Sequence, residues 1–222
     1  MFELCDKGDL YNYIKKYGHT ITLTQRIQFI KDIISGYLFL YDNHFMHRDI
    51  KPENILLKSE KGEIVAKIGD FGLAKQFTQK QLNDVYFKSI VGTPLTMSPE
   101  IYFEKDYNVE SDVWSLGSVF YFIIFEKFPF PAKSHSELAG MLDKKEYEMD
   151  LVGHEITYEV MSLILGCLQS NVKDRVSPSA LKGHAIMSND ITTCVKSVKT
   201  GFKMQVYTSK SELVSVKEWM GL

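Results

Sequence analysis

The sequence predicts a mainly helical α+β domain carrying one small β-hairpin. Three observations support this. Apolar residues recur at helical spacing in several separate stretches. Two short apolar runs, residues 55–57 and 64–68, flank the polar turn SEKGE and read as a hairpin. Between the hairpin and the later helices lies a long polar, irregular segment from Asp70 to Glu100.

The elements follow in order. Asp9 is placed to cap a short helix that runs to about Tyr17 and ends at Gly18. In TLTQRIQFIKDIISGYLFLYDNH, residues Ile27, Ile30, Ile34, Tyr37, Leu38 and Tyr41 fall on one helical face. The stretch FMHRDIKPEN, with Pro52, breaks the helical pattern before the hairpin. A loop as long as 70–100 inside a compact domain is functional or disordered. Residues 111–126 are apolar nearly all round, the pattern of a helix at the centre of a domain. SHSELAGMLDKK (134–145) and ITYEVMSLILGCLQ (156–169) are further helices. In VSPSALKGH, Ser177 is the N-cap, Pro178 opens the helix and Gly183 ends it. Beyond it, Phe202, Met204 and Val206 alternate and SELVSVKEWM has a helical pattern, but the tail 188–222 receives no assigned structure.

Composition excludes several function classes. The 222 residues are 45% hydrophobic and 24% charged, with a net charge of −2. That balance supplies no basic field for nucleic acid and no disordered character. Cys5, Cys167 and Cys194 are odd in number and form no CxxC pair, which argues against a disulfide framework or zinc site and favours a reducing compartment. The longest apolar run, Leu116 to Phe125, is too short for a transmembrane segment. The opening MFELCDKGDL lacks the basic and apolar regions of a signal peptide. The expectation is a soluble, cytoplasmic protein.

The chemistry is concentrated in His47-Arg48-Asp49-Ile50-Lys51-Pro52-Glu53-Asn54 and in Asp70-Phe71-Gly72. The first puts a carboxylate, an ammonium and a carboxamide on one tight loop, and the hairpin can fold the second carboxylate back onto it. Phosphoryl transfer needs such a set: a base for the acceptor hydroxyl, a cation for the moving phosphate and oxygen ligands for Mg²⁺. Any one of these residues alone reads as a solvated loop charge; the ordered set does not. His44 and His47 have no third ligand nearby in sequence, so a metal pair is disfavoured.

With these residues the sequence resembles the C-terminal lobe of a eukaryotic protein serine/threonine kinase over residues 1–187, leaving 188–222 as a tail. HRDIKPEN resembles the catalytic loop and DFG the metal-binding motif. GTPLTMSPE (92–100) resembles the segment ending in Ala-Pro-Glu, with Ser98 in place of the alanine, and DVWSLG from Asp112 and KDRVS around Arg175 match later landmarks. The resemblance implies ATP and Mg²⁺ as cofactors and a protein substrate. Asp49 would orient and deprotonate the acceptor hydroxyl, Lys51 would neutralise the γ-phosphate, and Asn54 and Asp70 would hold Mg²⁺. Phe2 falls at the gatekeeper position, the backbones of Glu3 and Cys5 would meet the adenine edge, and Leu56 would be the floor of its pocket. Thr93 matches the threonine that bonds toward the catalytic Asp and Lys. Thr96 stands where many relatives have Tyr. Asp112 and the pair Glu100–Arg175 would be structural. Ser89 would be the activating phosphorylation site, its phosphate held by Arg48. Asp9 and Glu53 match positions that can receive a basic substrate side chain, and read equally well as a cap and a solvated charge.

Arginine usage supports the resemblance. The chain has 23 lysines and three arginines, Arg26, Arg48 and Arg175, and the last two fall where a bidentate fork is useful. The family's N-terminal lobe is missing from the pattern: no two glycines are separated by a single residue, so no G-x-G-x-x-G loop exists here. The expectation is therefore a kinase seen mostly through its C-lobe, inactive as this chain alone. The alternative is a non-catalytic kinase-like lobe acting as a protein-interaction module. Within the family, IVGTPLTMSPE and CDKGDL look most like ULK-type or NIMA-related kinases.

Overall fold

Caps decide where the first helices begin. A computed structural model describes residues 3–77, 94–103, 108–144, 146–150, 156–188 and 203–207. Asp9 caps helix α1 (Leu10–Tyr17), its Oδ1 accepting from the Asn12 amide at 2.9 Å. Thr22 caps α2 (Leu23–Asp42) through Gln25, and α2 buries Ile27, Phe29, Ile30, Ile33, Ile34, Tyr37 and Leu38. A two-residue strand β1 (Phe45–Met46) leads into the loop at 47–54. The hairpin β2 (Ile55–Glu60) and β3 (Glu63–Ile68) follows, turned by Lys61 and Gly62, both at positive φ as a tight hairpin turn requires. Two side chains of α2 satisfy the outer edge of β3: Asp32 accepts from Ala66 N at 3.0 Å and Gln25 donates to Ile64 O at 3.2 Å.

Then come β4 (Lys75–Gln76), α3 (Pro99–Tyr102), α4 (Val109–Phe125) and α5 (His135–Lys144). After these come β5 (Glu146–Asp150), α6 (Tyr158–Cys167), α7 (Pro178–Lys182) and β6 (Lys203–Tyr207). Ser177 caps α7 and Pro178 opens it, as the sequence predicts.

Helix α4 is the centre of the core: every residue from Ser111 to Phe125 is buried. Its contact with α6 depends on Gly117, where a Cβ would sit 2.6 Å from the Cβ of Cys167, so a larger residue would push the helices apart. The expectation of one hairpin is too sparse. Among the described residues there are three two-stranded antiparallel sheets, β1–β4, β2–β3 and β5–β6. β1 and β4 are too short for alternation to show in the sequence. β5 pairs with a strand of the tail, Tyr147 opposite Val206, so the tail contributes a strand that its sequence pattern does not assign. The helical reading of SELVSVKEWM lies outside the described residues. No described helix is long and apolar enough to cross a membrane.

Candidate active site

The loop 47–54 is held from beneath by α4. Asp112, in the first turn of α4, accepts from two successive loop amides, His47 N at 2.8 Å and Arg48 N at 2.9 Å. Burial pushes the Asp112 carboxyl up, and the amides of Arg48 and His47 pull against that. This grip holds Arg48 at φ 67, a left-handed conformation that a non-glycine side chain adopts only when its surroundings enforce it. His47 is fully buried; its Nε2 lies 2.9 Å from Gly69 O and its ring centroid 5.4 Å from that of Phe71.

Above this base, Asp49 Oδ2 lies 2.8 Å from Lys51 Nζ and accepts from Asn54 Nδ2 at 2.9 Å; the same amide donates to Asp49 O at 2.8 Å. The nitrogen of Asn54 is thus committed to Asp49, and its oxygen Oδ1 remains as an acceptor. The register Ile55↔Ile68 and the bond Gly69 N to Asn54 O, 2.8 Å, return the chain to this point after the hairpin. The next residue, Asp70, is left-handed (φ 57, ψ 76) and exposed, with Oδ1 accepting from Gly72 N at 3.2 Å. Asp49, Lys51, Asn54 and Asp70, predicted from sequence as one set, are brought to one patch. A carboxamide oxygen and an exposed carboxylate are hard donors of the kind Mg²⁺ takes.

The remaining predicted residues are distributed around the patch. Residues 3–9 run along the outer edge of β2, with Leu4 80% exposed and Cys5 half-buried. Leu56 is half-buried against Gly69, where a Cβ would come within 3.0 Å of its Cδ1. Arg48 Nε donates to Leu73 O at 2.7 Å. Phe2, Ser89 and Thr93 lie outside the described residues. Asp9 spends both carboxylate oxygens on Asn12, at 2.9 and 2.8 Å, which supports the capping side of its double reading; Glu53 is exposed.

Glu100 and Arg175 pair as expected. The guanidinium reaches both carboxylate oxygens, at 2.6 and 3.0 Å, and also donates to Glu110 O and Gln169 O. Burial raises the Glu100 carboxyl, but the charge and hydrogen bonds of Arg175 outweigh it and hold the group below its usual value. Ser115 Oγ donates to Thr96 O at 2.8 Å, fixing the segment that precedes Glu100.

Sequence reasoning missed Arg26. It too is buried, donating to Ile123 O, to Gly18 O at 2.7 Å and to Glu126 Oε1 at 2.6 Å. The scarcity of arginine was the available signal: each of the three donates from its guanidinium to a backbone carbonyl distant in sequence.

Residues 1–187 match the family model described as protein kinase domain. The chain belongs to the eukaryotic serine/threonine protein kinases. The kinase is 32% identical over 177 residues to serine/threonine-protein kinase atg1 of Dictyostelium discoideum, covering 80% of this chain and 25% of the relative. It is 33% identical over 196 residues to serine/threonine-protein kinase PLK4 of Danio rerio, covering 88% and 20%. Calcium-dependent protein kinase 5 of Plasmodium falciparum is 32% identical over 185 residues, covering 83% and 32%. The chain therefore spans a third or less of the length of these relatives.

Proposed function

We propose that this kinase transfers the γ-phosphoryl group of Mg·ATP to a serine or threonine hydroxyl of a protein, with residues 1–187 supplying the C-terminal lobe of the catalytic domain and 188–222 a tail. The observation that carries the reading is the carboxylate of Asp49, held by Lys51 at 2.8 Å and Asn54 at 2.9 Å, with Asp70 returned beside Asn54 by the hairpin. Asp49 orients the acceptor hydroxyl and takes its proton, and Lys51 offsets charge on the phosphate in flight. Asn54 and the Asp70 carboxylate would hold Mg²⁺, which would supply positive charge to offset that of the phosphates. The backbones of Glu3 and Cys5 meet the adenine edge beside Phe2, over the floor made by Leu56. Thr93 bonds toward Asp49 and Lys51, and a phosphate on Ser89 pairs with Arg48 to order the loop between Asp70 and Glu100. We place the chain in a ULK-like or NIMA-related branch; the similarity to atg1 supports the ULK-like alternative.

The test is phosphate transfer from γ-labelled ATP by the protein as the cell makes it. Replacing a general base costs roughly 10²–10⁴-fold, so Asp49→Asn should lower kcat by at least about 100-fold while ATP still binds. Undiminished transfer by Asp49→Asn overturns the proposal. A second reading has its own observation: Leu4, Phe71 and Leu73 are exposed around the site, at 80%, 51% and 37%, a face suited to a protein partner. No transfer by the unaltered protein, with a partner bound there, would favour that reading.

A further inference from the structure

The outer edge of β2 is completed in an unusual way. The amide of Ile55 donates to Pro52 O and that of Leu57 to Gly8 O at 2.8 Å, with Lys7 N donating back to Leu57 O at 3.0 Å. The next outward amide, Ser59 N, is taken by a side chain: Asp6 Oδ1 accepts from it at 2.8 Å, and Asp6 Oδ2 accepts from Ser59 Oγ at 2.9 Å. A carboxylate standing where a backbone carbonyl would continue the ladder lets the main chain leave β2 at Asp6. Three residues earlier, Glu3 is tied to Lys58 at 2.7 Å and Lys67 at 3.0 Å. Leu4 and Cys5 thus lie between two side-chain ties to the same hairpin, and Cys5 O also accepts from Gly8 N at 3.4 Å.

The two ties differ in strength. Those of Glu3 are exposed carboxylate–ammonium pairs on long flexible stems, which solvent and salt weaken. That of Asp6 is nearly as exposed and shares Oδ2 with Lys7 at 3.5 Å, but it is two-pointed, charge-assisted, and anchored on an amide fixed within a sheet. The bonds from the Ser59 amide and then its hydroxyl hold the Asp6 carboxyl below its usual value. Asp6 is therefore the firmer of the two side-chain ties that set where residues 3–5 lie relative to Leu56. We propose that Asp6, latched to Ser59, is a positioning residue for the adenine nucleotide, governing nucleotide affinity and not the transfer step. This rests on the reading that the backbones of Glu3 and Cys5 meet the adenine edge. Asp49, Lys51 and Asn54 are held separately, through Asp112 and their mutual bonds, so loosening the latch leaves them in place.

The experiment measures KM for ATP, kcat, and Mg·ADP affinity by calorimetry, in the protein as the cell makes it. Asp6→Ala should raise the KM for ATP and the Kd for Mg·ADP about five- to tenfold, with kcat within about twofold and the KM for protein substrate unchanged. Asp6→Asn keeps an oxygen acceptor for one of the two bonds and should recover part of the loss. Ser59→Ala keeps the amide bond, should cost about twofold, and should add nothing to Asp6→Ala, since both remove the same contact. Unchanged Mg·ADP affinity in Asp6→Ala, or a kcat that falls in step with it, overturns the positioning role. Leu56→Trp separates the two layers, because it fills the floor itself. If it abolishes Mg·ADP binding while Asp6→Ala does nothing, only the positioning role fails. If Mg·ADP binds Leu56→Trp with unaltered affinity, the adenine reading fails and the proposal with it.

Discussion

The two ends of helix α4 are each tied down by an arginine, and they are built for different tasks. At the N-terminal end, Arg175 uses both oxygens of Glu100, with side chains only 0% and 8% exposed, and one residue on from Ser111, which donates to Glu100 at 2.8 Å, Asp112 grips the loop that carries Asp49. At the C-terminal end, Arg26 reaches one oxygen of Glu126, whose side chain is 35% exposed, and Lys15 donates to Glu126 O at 2.8 Å. Acids at the start and cations at the end both suit the helix dipole. The N-terminal end, however, joins chemistry-bearing segments, whereas the C-terminal end joins α1, α2 and α4 to one another. The same residue type braces the helix end next to the candidate site in one place and joins scaffold helices in the other, and burial of its carboxylate partner separates the two.

That difference should be measurable as stability. Arg175→Ala leaves a buried carboxylate uncompensated, a change that costs about 3–5 kcal/mol. Arg26→Ala leaves its carboxylate within reach of water and mainly strands two carbonyls, so about 1–3 kcal/mol is expected. Urea unfolding midpoints with unchanged slopes check both. Equal losses at the two ends would break the comparison.

Acid titration sharpens it. The folded Glu100 carboxyl lies below its ordinary value of 4.5, so its pairing stabilises fully above that value and is lost as pH falls through the lower, folded one. Glu110 and Asp112, which neighbour it on α4, are raised by burial and act with the opposite sign. The clean observable is therefore a difference: the stability gap between the unaltered protein and Glu100→Gln should shrink between about pH 5.5 and pH 3.5. A gap that stays constant over that range would show that Arg175 gains nothing from the charge of Glu100.

The two ends are not equally legible in the sequence. The Glu100–Arg175 pair can be read from the chain because each residue sits in a recognisable local motif, SPE and KDR, and the resemblance to the kinases implies that the two pair. Arg26 sits in an ordinary amphipathic helix, and its partner Glu126 follows an apolar run with nothing local to single it out; only the fold brings them together. The active loop is legible for the reason Glu100 is: its chemistry is packed into eight consecutive residues, with Asp70 one hairpin away. The hairpin itself shows through two short apolar runs about a glycine turn. What escapes are features set by tertiary contact alone: the two-residue strands β1 and β4, the short α3, and the partnering of β5 with the tail. The latch of Asp6 on Ser59 escapes too, because a carboxylate completing a sheet edge leaves no pattern in the chain.

The smallest expected effect lies at the C-terminal end and concerns Glu126 itself. Glu126 caps α4 at φ 59, where glycine is at ease and other residues are strained by about 1–2 kcal/mol. Replacing it by glycine relieves that strain but takes the carboxylate away from the buried Arg26 guanidinium, a loss of about 1–3 kcal/mol, so the two largely offset and Glu126→Gly should change stability by no more than about 1 kcal/mol. The informative variant is Gly18→Ala. Gly18 has ordinary helical angles, φ −50 and ψ −43, at which alanine alone gains about 0.4–1 kcal/mol by restricting the unfolded chain. Its Cβ, however, would stand 2.5 Å from Glu126 Oε1, driving the carboxylate off Arg26. Gly18→Ala should therefore destabilise the unaltered protein by about 1 kcal/mol, a fall in Tm of about 2–4 °C for a chain of this size. In the Glu126→Gly background the obstruction is gone, and the same substitution should raise Tm. A change of sign between the two backgrounds is the signature of a direct contact. The same sign in both would mean that Gly18 is small for a reason unconnected with Glu126, and that the C-terminal anchor is looser than its distances imply.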